Sequence, residues 1–190
     1  GLDIGKPEGN MVVDIGGGTT DIAVLSLGNI VTSASIKTAG NTFDQNIIDY
    51  IKEKYKLLIG EKTAENIKIT IGTVTKDKSK EKMKVKGRDL VGGLPKTITV
   101  TSDEIEEALQ ESIKKIISMI KVVLEQTPPE LSADIIEKGV IITGGGALLK
   151  GLPELLHEEL KVPVYKAEDP LSCVAEGTGI MLEKLYYIDK

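Results

Sequence analysis

The residues best equipped for chemistry lie in one short run, DIGGGTT at positions 14–20. Asp14 brings a carboxylate, Gly16, Gly17 and Gly18 remove three side chains in succession, and Thr19 and Thr20 add hydroxyls. Consecutive glycines let the backbone approach a ligand closely and aim successive N–H groups at one spot, which makes an anion site. A carboxylate beside such a site repels a bare phosphate but suits one carrying magnesium, usually held through water. The run is not a P-loop, because no Gly-Lys-Ser/Thr ending follows, and it lacks the spacing of the dinucleotide fingerprint. By itself it also reads as a plain glycine-rich hairpin with an aspartate at a strand end.

The theme returns late in the chain. Val140, Ile141, Ile142 and Thr143 form a second apolar strand pattern, followed directly by Gly144, Gly145 and Gly146. In an open α/β sheet, ligands bind beyond the carboxyl ends of strands, where glycine turns leave room. Two such turns converging on one cleft make a stronger signal than either alone. The first, with Asp14 and the threonines, suits a metal-phosphate; the second, lacking carboxylates and followed by Ala147 and Leu148, suits a sugar and base. Glu65 and Lys68 stand one helical turn apart. As residues they read first as a surface ion pair and second as a polar clamp on a ligand. His157 lies among glutamates and reads as a solvated side chain.

The elements that must position these residues follow from periodicity and caps. Residues 11–15, 22–27 and 30–31 read as strands, with Gly28-Asn29 as a hairpin turn. Thr42 and Gln45 read as a capping box ahead of Phe43, Ile47, Ile48, Ile51 and Tyr55 at helical spacing. A greasy exit over 57–59 leads to a shorter helix at 61–71, closed by Gly72. Residues 73–82 read as a polar, flexible loop, 82–86 as a half-exposed edge strand and 96–101 as a second alternating strand. Thr101 and Glu104 form another capping box, opening a long helix that Pro128-Pro129 must end near Gln126. Ile105, Leu109, Ile113, Ile116, Ile120 and Val123 are its buried stripe. A short helix at 131–138, a helix headed by Pro153, an edge strand at 162–165 and a last helix from Asp169-Pro170 complete the pattern. Ala175, Gly177 and Gly179 would let that helix pack close to a neighbour or to the nucleotide loop.

Composition bounds the possibilities. The chain has 190 residues, 41% hydrophobic but only 3% aromatic, so aliphatic side chains must fill the core. A net charge of −5 argues against a general nucleic-acid surface. The basic stretch 76–86 has Asp77 and Glu81 mixed in and reads as solvated. One cysteine, Cys173, excludes an internal disulfide framework and fits a reducing cytosol, and one histidine excludes a multi-histidine metal site. No apolar run approaches the roughly 18 residues of a membrane span. The chain opens on Gly1-Leu2-Asp3 without an initiator Met, in what reads as a loop, as an excised piece of something larger would.

With these motifs in hand the chain resembles a known family. DIGGGTTD at 14–21 is similar to the second phosphate motif of the actin-like ATPase superfamily, and IITGGGALLKGLP at 141–153 to its adenosine motif. The stretches between them, IAVLSLGNIVTS, AGNTFDQNIIDYI, LLIGEKTAENIKITIG and VKGRDLVGGLPKTITVTSDEI, resemble the bacterial actins of the MreB/Mbl family, as does the closing EDPLSCVAEGTG. The resemblance implies an α/β fold with an actin-like, ribonuclease H-like core. Its mixed sheet is flanked by helices, and 1–39 and 102–190 form the core (IIA), with 40–101 as a small inserted α/β subdomain (IIB). It implies ATP and Mg²⁺ as ligands. Asp14 would hold magnesium through water, Gly16, Gly17, Gly18, Thr19 and Thr20 would cradle the β- and γ-phosphates, and Thr20 would orient the attacking water. Asp21 stands where eukaryotic actin has a catalytic histidine. Gly144, Gly145 and Gly146 would approach the ribose and α-phosphate. Glu65 and Lys68 match positions that border adenine and ribose in DnaK-type chaperones, which turns the pair from a surface bridge into adenosine ligands.

The resemblance further implies self-association into filaments, cell-wall synthesis and morphogenesis proteins as partners, and a cytoplasmic location at the inner face of the membrane. No nucleic acid is implied. Members of the family are about twice as long, and this chain resembles their second half. The first phosphate loop, the opposite cleft wall, the helix with the water-activating glutamate and the membrane-binding elements belong to the other half. Phosphoryl chemistry needs positioning from both sides, so this chain alone is expected to hydrolyse ATP negligibly. The alternative is half of a non-filament actin-fold ATPase or kinase, a DnaK-like chaperone or a sugar kinase relative.

Overall fold

The computed structural model describes residues 4–76 and 80–188. The opening Gly1 to Asp3 and the centre of the predicted polar loop lie outside that range.

Five strands make the larger sheet, in the order β3-β2-β1-β7-β8. β1 (Asn10–Ile15), β2 (Thr20–Ser26) and β3 (Asn29–Ile36) run antiparallel in succession. β7 (Val140–Thr143) joins β1 in parallel, and β8 (Val164–Lys166) joins β7 in parallel at the edge. The sheet is therefore mixed. Its register sorts the side chains by the strand period of two. Met11, Val13 and Ile15 align with Val24, Ile22 and Thr20, and the first two also with Val140 and Ile142; all are buried. The opposite face carries Val12, Asp14, Asp21, Ala23, Ile141 and Thr143, of which only Thr143 is fully buried.

The buried face is closed by α3 (Ser102–Glu125), which packs on β2 and β3. Its start is the predicted capping box: Thr101 Oγ1 accepts from the Glu104 N–H at 3.4 Å, and Glu104 Oε2 accepts from the Thr101 N–H at 2.7 Å. All six residues of the predicted stripe are buried. α1 (Gly40–Tyr55) lies beside α3 and buries Phe43, Ile47 and Ile51, while α2 (Glu61–Ile71) packs on α1 and buries Ala64, Ile67 and Ile71. α4 (Pro129–Lys138) contacts β1, and α5 (Leu152–Leu160) contacts α3 and β8.

A second sheet of three strands has the order β4-β5-β6, from β4 (Leu57–Leu58), β5 (Lys82–Asp89) and β6 (Pro95–Thr101). Several expectations change here. The greasy exit at 57–59 is a strand, too short to announce itself by alternation, pairing Leu57 with Asp89 and Leu58 with Arg88. β5 is thus central at its end, while residues 82–87 pair only with β6, as an edge would. The loop after α2 begins buried: Thr73 and Val74 are enclosed, and the Val74 N–H donates to the Lys150 carbonyl at 3.0 Å.

Two predicted helix details also differ. α1 starts at Gly40 with Ala39 as cap, so Thr42 is its third residue; Thr42 Oγ1 accepts from the Ala39 N–H at 3.4 Å, and Gln45 bonds Asp49 instead. α6 (Cys173–Ile188) has its first eleven residues exposed or half-exposed. Gly177 and Gly179 face open space rather than a close-packed neighbour.

Candidate functional site

The two glycine turns leave adjacent parallel strands, β1 and β7, at the same end, because Asp14 is in register with Thr143. They are pressed together. A Cβ on Gly144 would lie 2.4 Å from both Asp14 Oδ1 and the Ile15 carbonyl oxygen, and one on Gly146 would lie 2.2 Å from Ile15 Cγ2. Gly144 also has φ +81°, a left-handed conformation that side chains resist. These glycines are required for the second turn to seat on the end of β1.

The first turn is aimed by α1. The Gly16 carbonyl accepts from the Gly40 N–H at 3.0 Å, and the Gly17 carbonyl accepts from the Asn41 N–H at 2.8 Å. In a planar trans peptide the carbonyl and the following N–H point in opposite directions. Holding both carbonyls toward α1 therefore turns the Gly17 and Gly18 N–H groups away from it. Neither has a hydrogen-bond partner among the described residues. Two adjacent unpartnered donors without side chains form an anion cradle.

A cavity of about 590 Å³ opens beside these turns. It lies within the size range of small-molecule sites, roughly 300–1,000 Å³. Gly16, Gly17, Gly145 and Gly146 line it together with Glu65 and Lys68, so the far-separated motifs do share one space. Gly40, Asn41, Phe43, Asp44, Ile69, Lys150 and Leu171 add lining that the motifs do not indicate, beside the expected Leu148.

The remaining predicted residues are placed differently. Asp14 is half-buried on the open face of the sheet and does not line the cavity. Burial first, and then the nearby Asp21 charge, push its carboxyl above the ordinary value. Such a carboxylate lacks positive charge. Among the described residues there is no cluster of three metal-ligating side chains, so a cation here would be completed by ligand oxygens and water, which fits magnesium. Thr19 is exposed and donates its hydroxyl to Asp21 at 2.8 Å. Thr20 falls on the buried face, and its hydroxyl donates to the Thr38 carbonyl at 2.7 Å, turned from the cavity. Glu65 and Lys68 do not pair with each other; Lys68 Nζ lies 2.8 Å from Asp44 Oδ1. His157 is exposed, with Nδ1 2.8 Å from the Val162 carbonyl oxygen, clear of the cavity.

The family described as MreB/Mbl protein matches residues 1–190. The chain belongs to the MreB/Mbl family. It is 64% identical over all 190 residues to the cell shape-determining protein Mbl of Bacillus subtilis (strain 168), covering 57% of that protein. It is 50% identical over 185 residues to the cell shape-determining protein MreB of Escherichia coli (strain K12), covering 53% of it. Its fold is similar to the crystal structure of MreB5 of Spiroplasma citri bound to AMPPNP, at TM-score 0.94 and 42% identity over 98% of this chain and 56% of that one. The MamK double helical filament is similar at TM-score 0.71 and 26% identity, over 85% of this chain and 50% of that one. This MreB/Mbl chain thus has the actin-like fold of its relatives and spans about half their length.

Proposed function

We propose that this chain is the nucleotide-holding part of an MreB/Mbl filament protein that binds Mg-ATP, polymerises and organises rod cell shape. The observation that supports it best is the shared cavity between the two glycine turns, with the Gly17 and Gly18 N–H groups turned away from α1. In this reading Gly16 to Thr19 hold the β- and γ-phosphates, Asp14 holds magnesium through water, and Gly144, Gly145 and Gly146 flank the ribose and α-phosphate. Glu65 and Lys68 border the adenosine. Thr20 supports the turn, and can orient a water only when its hydroxyl leaves the Thr38 carbonyl. The MreB5 relative is bound to AMPPNP in one structure and to ADP in another, and MamK forms a filament, which supports nucleotide binding and self-association here.

The same reading divides the chain into a core of 1–39 and 102–190 and an inserted subdomain of 40–101. It places the whole protein in the cytoplasm at the inner face of the membrane, among cell-wall synthesis and morphogenesis proteins. Among the described residues no helix is long and apolar enough to cross a membrane.

Since the chain spans about half the length of its relatives, one side of the phosphate site is supplied by residues outside it, and the chain alone hydrolyses ATP negligibly. Titrating the chain with ATP and GTP in magnesium, followed by backbone NMR, tests the site. Shifts at Gly16 to Thr20 and Gly144 to Gly146 are expected; shifts confined to other residues overturn the assignment. Parent-like ATP turnover by the chain would refute its incompleteness.

A further inference from the structure

Lys68 sits on the last turn of α2, its side chain 16% exposed, and Asp44 on α1 is 14% exposed. The Lys68 ammonium lies 2.8 Å from Asp44 Oδ1 and donates to the Gly40 carbonyl at 3.2 Å. Asp44 Oδ1 is enclosed and has no other partner among the described residues. The ammonium thus holds α1 by one hydrogen bond and one ion pair. The Gly40 it grips also holds the first glycine turn, its N–H donating to the Gly16 carbonyl, and the next N–H, that of Asn41, donates to the Gly17 carbonyl. Hydrogen bonds therefore run without a gap from α2 through the first turn of α1 to the two peptides whose N–H groups form the anion cradle.

We infer that Lys68 is a positioning residue for the phosphate end of the ligand, acting through the first turn of α1 on the Gly16–Gly18 turn. This rests on the nucleotide-binding reading above and changes the role that Lys68 has in it. A lysine bordering adenosine would contribute to nucleoside affinity. A lysine bolting α1 in place sets the direction of the Gly17 and Gly18 N–H groups, and its loss falls on the phosphates. The ion pair is mostly enclosed, so salt screens it little. It also neutralises Asp44, whose carboxylate lines the same cavity and would otherwise repel an anion.

The test uses D44N/K68M, which removes both charges together and leaves no bare carboxylate. NMR titrations with Mg-ATP, ADP and adenosine are compared with the unaltered chain, along with amide exchange at Gly40 and Asn41 in the absence of ligand. We expect affinity for ATP and ADP to fall about tenfold, in the range of ordinary site-to-site coupling, and affinity for adenosine to fall by clearly less. Exchange at Gly40 and Asn41 should accelerate. An equal loss for adenosine would make Lys68 a nucleoside contact and overturn the inference. So would unchanged affinity in a folded variant, or unchanged amide exchange. Should D44N/K68M not fold, Lys68→Met with Asp44 kept gives the same amide reading. Absence of any nucleotide binding by the unaltered chain refutes the proposed function instead, and amide exchange then decides the positioning role alone.

Discussion

Asp14 and Asp21 are directly opposed across the β1–β2 ladder, two carboxylates in one cross-strand pair. Like charges so placed destabilise a sheet. Asp21 is partly answered by the Thr19 hydroxyl, while Asp14 has no cation beside it among the described residues. On the reading proposed above, a cation that arrives with its ligand would offset this repulsion.

The first prediction concerns stability. Burial and Asp21 hold the Asp14 carboxyl above its ordinary value of 3.8, so the folded chain binds that proton more tightly than the unfolded chain. Its stabilising contribution is fully present below pH 3.8 and is lost as pH rises through the raised folded value. At neutral pH the ionised group is a net cost. Asp14→Asn should therefore melt higher than the unaltered chain at pH 7, and the gain should disappear below pH 3.8. A lower melting temperature for D14N at pH 7 would contradict this.

The same substitution separates folding from binding. In D14N the affinity for ATP should lose most of its dependence on magnesium, since the amide no longer attracts the hydrated ion. Titrations with and without magnesium measure this. A magnesium effect equal to that of the unaltered chain would show that the ion is held elsewhere.

Two glycines of the turns should behave oppositely. Gly144→Ala drives a Cβ into Asp14 and Ile15 and forces a left-handed residue, costing about 2–4 kcal/mol of unfolding free energy. Gly18→Ala meets nothing within 4 Å and should leave stability within about 0.5 kcal/mol. Urea melts of both variants decide the matter, and comparable losses would show that the turn is strained throughout.

Glu104 is the anchor of the α3 start. Burial raises its carboxyl, but hydrogen bonds from Lys54, Tyr55 and Thr101 outweigh that and hold it below the ordinary 4.5. Tyr55, half-buried with its hydroxyl 2.5 Å from the carboxylate, is pushed up to about 12 by burial and by that contact. Because the carboxyl is depressed, its stabilisation is present above pH 4.5 and is lost as pH falls through the folded value. Glu104→Ala should cost about 1–2 kcal/mol at pH 7, as lost caps do. The gap between E104A and the unaltered chain should close in acid; a gap that stays constant to pH 2 would assign the loss to packing alone.

Ile116 tests the core. It is fully buried on α3, and Ile116→Ala should cost about 2–5 kcal/mol through the cavity it leaves. Chemical denaturation measures this, and a loss below about 1 kcal/mol would place α3 outside the cooperative core.

How far the sequence reaches depends on the range of the forces involved. Strands β1, β2 and β7 and both glycine turns were legible, because an apolar run ending in three glycines is a local pattern. α3 was legible to within a residue, since Thr101, Glu104 and Pro128 write its ends in local hydrogen-bond and steric rules. The burial of Thr20 was within reach of the period-two rule, since it stands two residues before Ile22 and so on the same face of β2. β4 was not, for a two-residue strand exists only by its pairing with Arg88 and Asp89. Nor was the partner of Lys68: Glu65 is its neighbour by helical spacing, yet the packing of α2 on α1 brings Asp44 to 2.8 Å. By itself the sequence determined that two glycine turns follow apolar strands, because glycine and strand periodicity act over a few residues. Only the tertiary structure decided that they open on one cavity and that α1 aims the first of them. Those facts rest on the parallel pairing of β1 with β7 and on the Gly40 and Asn41 hydrogen bonds, contacts between residues far apart in the chain.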